Sequence, residues 1–274
     1  MFTLNCKGKL LTFDSPLVMG IINATPDSFY KGNINDDILA LAESMLADGA
    51  AILDIGGQST RPGSERIAPV EELQRVLPVI QAIHTKFPDA IISIDTYNST
   101  VATAAVQAGA SIVNDISAGA MDAQMLQTVA RLQVPYICMH MQGTPGSMQK
   151  DPHYDDVAKE VLDFFIAKVN ECKTAGITDI IIDPGFGFGK SISHNFSLLK
   201  KMEVLSMLDK PILAGVSRKS TIYKTLQTTA ANALNGTTVL NTIALMNGAS
   251  LLRVHDVKEA KEAITLFRAY KKAP

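Results

Sequence analysis

Seven stretches of the chain share one pattern, a short continuous apolar run that ends on a polar or charged side chain and then glycine, serine or threonine. They are VMGIINATPD at 18–27, AILDIGG at 51–57, IISIDT at 91–96, SIVNDIS at 111–117, DIIIDPG at 179–185, PILAGVSRKS at 211–220 and SLLRVHD at 250–256. Runs that are apolar throughout, rather than alternating, predict parallel strands covered on both faces. VPYICMH at 134–140 adds an eighth. Helical patterns fall between and after them, at 36–48, 69–86, 98–108, 121–132, 154–175, 194–203, 230–247 and 256–269, with Gly49, Gly109, Gly176 and Gly248 where C-caps are expected. Eight strands each followed by a helix predict an α/β fold, a (β/α)8 TIM barrel over residues 1–274 as a single domain. Residues 1–14 predict an N-terminal β-hairpin turning at Lys7-Gly8-Lys9, placed to plug the barrel's bottom. No linker or shift in composition divides the chain.

In such a barrel the polar residues that end the runs gather at one rim: Asn23, Asp54, Asp95, Asn114, Asp183, Lys219, Arg253 and His255. Ligands bind at the C-terminal ends of parallel strands, so chemistry is expected there. The period of a strand sets Arg253 and His255 on one face, and barrel closure brings the last strand beside Asn23 on the first. With Arg61 these residues form a distributed set of donors, and an arginine fork suits phosphate oxygens. An anionic, phosphorylated substrate group is the expectation. The alternative is that Arg253 and His255 cap the helix at 256–269 or pair with nearby acids.

Asp95, Asn114 and Asp183 end three different strands without the close spacing of metal ligands. They suit a flat polar heterocycle gripped by its edge, because buried carboxylates need N–H donors such as an aminopyrimidine or guanidine edge supplies. For each aspartate the competing role is a helix N-cap, strongest at Asp115 and weaker at Asp95, whose neighbour Thr96 can cap instead.

Two long polar loops, NATPDSFYKGN at 23–33 and GGQSTRPGSE at 56–65, rise over the same rim. Their pairing favours mobile covers that exclude water over plain turns, although the same residues make turns for backbone reasons alone. The stretch from Asp183 to Ser191 is glycine-rich but is not a Walker A loop, since Pro184 stands where the first glycine is needed, and the dinucleotide fingerprint fails too. It reads as a loop that lets backbone approach a ligand, with Phe188 as an aromatic wall. Lys219 follows a strand and precedes a helix, within reach of the rim beside Ser217 and Ser220; a solvated surface lysine is the alternative.

Composition narrows the partners. A formal net charge of -2 over 274 residues leaves no basic field for nucleic acid. No apolar run approaches the ~20 residues of a membrane span, and no basic segment with an apolar signal core opens the chain, so a cytoplasmic protein is expected. Cys6, Cys138 and Cys172 have neither disulfide nor zinc spacing.

Taken in order, MGIINATPDSF, DIGGQSTRPGSE, SIDT, IVNDISAG, MHMQGTP, DPGFGFGK, GVSRKS and RVHD carry a family likeness. Across essentially its whole length it resembles the dihydropteroate synthase family, enzymes of the folate pathway. The resemblance implies condensation of 7,8-dihydropterin-6-ylmethyl diphosphate with 4-aminobenzoate, giving dihydropteroate and pyrophosphate. By matching positions it implies that Asp95, Asn114, Asp183, Lys219 and Arg253 hold the pterin, with Arg253 stacked on its face. Asn23, Arg61 and His255 would bind the diphosphate, and Asn23 would stand near a Mg2+ ion. Thr60, Pro62, Phe188 and Ser220 would shape the aminobenzoate site. Asp95, Lys219, Arg61 and His255 would carry catalysis, stabilising the departing pyrophosphate and the cation left on the pterin. A homodimer through the last helices is also implied, although Leu240, Ile243, Ala244 and Met246 could equally pack on the barrel. The chain departs from the family's usual pattern at PDSFYKGN in the first loop, at Gln58 and at Ala24. Three other classes stay open: a methyltetrahydrofolate-dependent methyltransferase, which has no use for Arg61, His255 or TPDSF; a non-catalytic pterin-binding paralogue; and a phosphosugar aldolase, which needs a Schiff-base lysine on a strand.

Overall fold

The computed structural model of the chain describes residues 1–25, 34–59, 64 and 66–274. It opens with an antiparallel hairpin, β1 (Phe2–Cys6) and β2 (Lys9–Phe13), turning at Lys7 and Gly8, both at positive φ. Then follow β3 (Leu17–Asn23), α1 (Ile34–Ala47), β4 (Ile52–Gly56), α2 (Pro69–Lys86), β5 (Ile91–Asp95), α3 (Ser99–Ala108), β6 (Ile112–Asp115) and α4 (Met125–Leu132). The chain continues through β7 (Tyr136–Met139), α5 (Val157–Ala175), β8 (Ile180–Asp183), α6 (Ile192–Lys201), β9 (Leu213–Ala214), α7 (Ser220–Thr225), α8 (Leu234–Met246), β10 (Leu251–Val254) and α9 (Val257–Lys272). Strands β3 to β10 pair in parallel in the order β8-β7-β6-β5-β4-β3-β10-β9. A parallel bridge between Ile182 and Ile212 joins the two ends, so the eight-stranded sheet closes on itself as the sequence pattern predicts.

The pleat of these strands explains where the site lies. Met19, Ile52, Ile112, Ile137, Ile181, Leu213 and Leu251 form one buried layer inside the ring, and Leu4, Cys6, Leu11 and Phe13 of the hairpin close it from below. Their alternate neighbours, among them Leu53, Ile92, Val113, Cys138, Ile182 and Leu252, point outward into a second core shared with the helices. A strand advances one inward position every two residues. Two residues beyond the apolar layer the inward positions are therefore Asp54, Asn114, Asp183 and Arg253, while Ile91 leads by the same step to Ser93 and then Asp95. An apolar floor and a polar upper storey thus come from one alternation.

The helices lie close to their expected places, with differences at the ends that have local causes. Asp115 accepts from the backbone N–H groups of Ser117 and Gly119, which holds 115–119 in a turn and delays α4 to Met125 rather than 121. Ser191 caps α6 by accepting from His194 N–H, so this helix begins at Ile192, ahead of the expected 194. Asp156 accepts from the N–H groups of Ala158 and Lys159 and sets the start of α5 three residues after the expected 154. The run at 211–220 holds only two residues of strand and then the short α7, which the periodicity does not reveal.

Candidate functional site

Arg253, on β10, reaches across the barrel mouth to carboxylates of two other strands. Its Nε donates to Asp54 Oδ2 at 2.6 Å and its Nη2 to Asp95 Oδ2 at 2.6 Å. Asn114 Nδ2 donates to the same Asp54 oxygen at 3.0 Å. The pairing with acids raised as an alternative for Arg253 is present, but its partners are rim carboxylates and not acids of the following helix. Asp54 is fully buried and forms the hub of this network. The sequence reading sets it on the rim yet gives it no role; its signal is its place two residues after Ile52 in the pleat.

The network is incomplete. Asp54 Oδ1, Asp95 Oδ1 and Ser93 Oγ are buried and have no hydrogen-bond partner among the described residues. A buried polar atom left without a partner costs about 1–3 kcal/mol, so these oxygens mark where a ligand with N–H groups is accommodated. Burial pushes the Asp95 carboxyl up to about 7; Arg253 works against this, while Asp54, Glu72 and Asp115 add to it. Burial works against the Arg253 charge, but Asp54 and Asp95 outweigh it and hold the guanidinium above its ordinary value.

On the opposite side of the ring, Asp183 ends β8 and accepts from Gly185 N–H at 2.8 Å. Burial raises its pKa, with Lys219 and that N–H opposing. Lys219 stands ahead of α7, where its Nζ donates to Phe186 O at 2.6 Å and lies 4.7 Å from the centre of the Phe188 ring. Burial lowers the Lys219 ammonium to about 8, and Asp183 resists the shift. It is therefore no solvated surface lysine. Its neighbour Arg218 is engaged elsewhere: Nε and Nη2 grip the two oxygens of Asp256 at 2.8 Å each, and Nη1 donates to the carbonyls of Ala230 and Ala231. That clamp fixes the Val216–Ser220 corner and leaves Lys219 to the site.

His255 pairs through Nδ1 with Ser217 Oγ at 3.0 Å, and its own backbone N–H donates to that hydroxyl at 3.3 Å. These contacts fix the orientation of the imidazole at the end of β10. Asn23 ends β3, half-buried, beside Gly56 of β4. Phe188 is half-buried and Ser220 opens α7. Thr60, Arg61 and Pro62 lie outside the described residues. So do most of the two loops read as covers, and the departure at PDSFYKGN with them.

Neither aspartate suspected of capping holds a helix start. Thr96 accepts from Asn98 N–H and Asn98 caps α3, which leaves Asp95 to the rim. Asp115 organises its turn and takes the Tyr136 hydroxyl at 2.7 Å. Gln58 donates to Tyr97 OH at 2.7 Å. The arrangement as a whole places two cations and three acids around a cavity mouth, with aromatic carbon on one side. Such a rim binds a flat group bearing N–H donors and stabilises charge that develops beside it.

Known proteins share this chain's sequence and fold. The model of the family described as "Pterin binding enzyme" matches residues 19–255. The chain is 42% identical over 268 residues to the dihydropteroate synthase of Escherichia coli strain K12, covering 96% of this chain and 94% of that one. It is 40% identical over 271 residues to the enzyme of that name from Haemophilus influenzae, at 97% and 98% coverage. Among solved structures, the Yersinia pestis dihydropteroate synthase with a sulfonamide drug complex superposes with a TM-score of 0.94 at 40% identity, covering 99% of this chain and 100% of that one. The Xanthomonas albilineans enzyme in complex with 7,8-dihydropteroate gives 0.90 at 39% identity, covering the whole of both chains.

Proposed function

The chain belongs to the pterin-binding enzyme family and within it to the dihydropteroate synthases, and from that premise we propose how its rim performs the family's reaction. It condenses 7,8-dihydropterin-6-ylmethyl diphosphate with 4-aminobenzoate to give 7,8-dihydropteroate and pyrophosphate, a transferase step of folate biosynthesis. The observation that carries the assignment of residues is the set of buried, unpartnered carboxylate oxygens on Asp54 and Asp95 beside Arg253. A pterin brings an aminopyrimidine edge rich in N–H groups to such acceptors.

In this reading Asp95, Asn114 and Asp183 take the pterin edge, with Asp54 holding Asn114 and Arg253 in place. Lys219 and Arg253 border the ring. The diphosphate lies toward Asn23, Arg61 and His255, where the His255 ring and the Arg61 fork offset charge that grows on the leaving oxygen as the methylene carbon–oxygen bond breaks. The carboxylates below stabilise the positive charge left on the pterin. The neutral aromatic amine, held by Thr60, Pro62, Phe188 and Ser220, then forms the carbon–nitrogen bond and loses its proton afterwards.

A divalent cation would be held at this rim by Asn23. Among the described residues no group of three histidine, cysteine or acidic side chains could hold a metal by itself, whereas Asn23 offers one hard oxygen next to the diphosphate position. Mg2+ prefers that arrangement, keeping water and substrate phosphates as its other ligands. When bound it supplies neutralisation of the diphosphate charge.

We also propose a homodimer. Leu240 and Ala244 of α8 are buried against the barrel, but Val239, Ile243 and Met246 on the same helix and Leu266 and Tyr270 on α9 are exposed, an apolar face that a second copy would cover. A cytoplasmic location belongs to the same reading; among the described residues no helix is long and apolar enough to cross a membrane. The test of the function is pyrophosphate release with Mg2+ and the pterin diphosphate, with and without 4-aminobenzoate. Release that depends on the amine and matches dihydropteroate formed is expected. Pterin binding without release would mean a non-catalytic paralogue.

A further inference from the structure

The loop from Gly185 to Gly189 has an unusual feature: each of its five consecutive carbonyls accepts a hydrogen bond from a side chain. Lys190 Nζ donates to Gly185 O at 3.0 Å and to Phe188 O at 3.1 Å. Lys219 Nζ takes Phe186 O, Gln149 Nε2 takes Gly187 O, and the Tyr154 hydroxyl takes Gly189 O at 2.9 Å. The Gly187 N–H donates to Asn195 Oδ1 at 2.7 Å. Loops ordinarily leave such carbonyls to water, so this degree of internal satisfaction marks a segment held in one conformation.

Backbone contact holds it from another side. Gly185 and Gly189 both have positive φ, and a Cβ on them would come within 1.9 Å of His140 O and 2.4 Å of Gln142 O. The loop therefore lies directly on the one that follows β7, from which Gln149 and Tyr154 come.

Lys190 is the anchor. It is almost fully buried, and its Nζ also meets His140 Nδ1 at 2.9 Å. Burial, then Lys190 itself, lowers His140 to about 3, so the ring is neutral and Nδ1 accepts. An ammonium has three donors, and here it finds three acceptors. Burial pulls the Lys190 amine down to about 7, with Asp183 opposing, so the protonated form alone serves all three.

Lys190, Tyr154 and Gln149 make these bonds to the loop and to His140. What they hold is Phe188, whose ring faces Lys219, and Phe186 O, the acceptor of that same lysine. We propose that Lys190, Tyr154 and Gln149 are positioning residues that pre-form the aromatic wall at Phe188 and so set the enzyme's affinity and selectivity for the amine substrate. The inference rests on the assignment of the 4-aminobenzoate site to Phe188. Loosening this loop at Gly187 or Gly189 weakens the amine more than the pterin, because the pterin grip meets the loop elsewhere, at the Gly185 N–H that Asp183 accepts and at the Phe186 carbonyl under Lys219.

The test is steady-state kinetics on the full-length enzyme with Mg2+, alongside titration of pterin diphosphate binding. Lys190→Met is expected to raise KM for 4-aminobenzoate about tenfold or more, given the strength of bonds to a charged donor. Tyr154→Phe and Gln149→Ala each remove one neutral bond and are expected to raise it about threefold. In the Tyr154 and Gln149 variants pterin affinity should stay within about twofold, and in all three kcat should fall less than KM rises. Gln149 is exposed, so its variant keeps the test valid if Lys190→Met fails to fold. Unchanged KM in the Tyr154 and Gln149 variants, or equal losses for pterin and amine, would overturn the clamp while leaving the function intact. A wild-type enzyme that never consumes 4-aminobenzoate would overturn both.

Discussion

Glu72 gives the most quantitative test of the electrostatics behind the site. It lies in the first turn of α2, is 3% exposed, and accepts a hydrogen bond from Thr96, the residue after Asp95. Burial raises its carboxyl from 4.5 to about 7, with Thr96 and Arg75 opposing. In the unfolded chain the group titrates near its ordinary value, so the proton it carries when folded contributes stability that is full at low pH. That contribution is lost as pH rises through about 7, the reverse of a salt-bridged carboxylate. At about 1.4 kcal/mol per pKa unit, the wild type gives up about 2–3 kcal/mol through this group between pH 5 and pH 8. Glu72→Gln keeps the shape and the partner of Thr96 but cannot ionise. Relative to the wild type it should gain that same amount over the interval, a shift of about 5–10 °C in Tm for a chain of this size. Thermal midpoints of ligand-free wild type and variant at pH 5 and pH 8, in one salt, read the effect directly. A Tm difference between the two proteins that is the same at both pH values would refute the claim that burial disfavours charge behind the rim.

Arg253→Met should be costly, because it strands Asp54 and Asp95 together in a buried site; about 3–5 kcal/mol of stability should go, measured by urea unfolding, with partial recovery on adding Asp54→Asn. Lys219→Ala should weaken pterin binding, whereas Arg61→Ala should spare it and lower turnover, since the proposed reading gives Arg61 to the leaving group; calorimetric titration and kcat separate the two, and a loss of pterin affinity in both would defeat that division. Gly185→Ala places a Cβ against His140 O at a positive φ and should cost about 3 kcal/mol or more, seen as poor soluble yield or a depressed Tm.

Much of the architecture was legible because a closed parallel barrel repeats one local rule. Each continuous apolar run ending on a polar residue became a strand, and the same pleat that filled the floor with Ile52, Ile112 and Ile181 lifted Asp54, Asn114 and Asp183 above it. The short β9 and the added α7 were not legible, since two residues of strand carry no period and Pro211 to Ser220 reads as one run. Residues at strand ends were found as candidates one at a time, but which of them touch was not. That Arg253 spans the mouth to Asp54 and Asp95 depends on curvature closing the ring, a property no single segment contains. The carbonyl cage around 185–189 was hidden for a related reason: its donors lie at 149, 154, 190 and 219 and meet only once β7, β8 and β9 are neighbours.

The most direct test of the central claim, that the unpartnered carboxylate oxygen on Asp95 and the acid on Asp183 receive the pterin edge, is a crystal structure of the protein with pterin diphosphate and Mg2+. The pterin N–H groups are expected within hydrogen-bond distance of Asp95 and Asp183, with the diphosphate toward Asn23 and His255. A pterin seated elsewhere, with Asp95 still bonded to Arg253 alone, would contradict it.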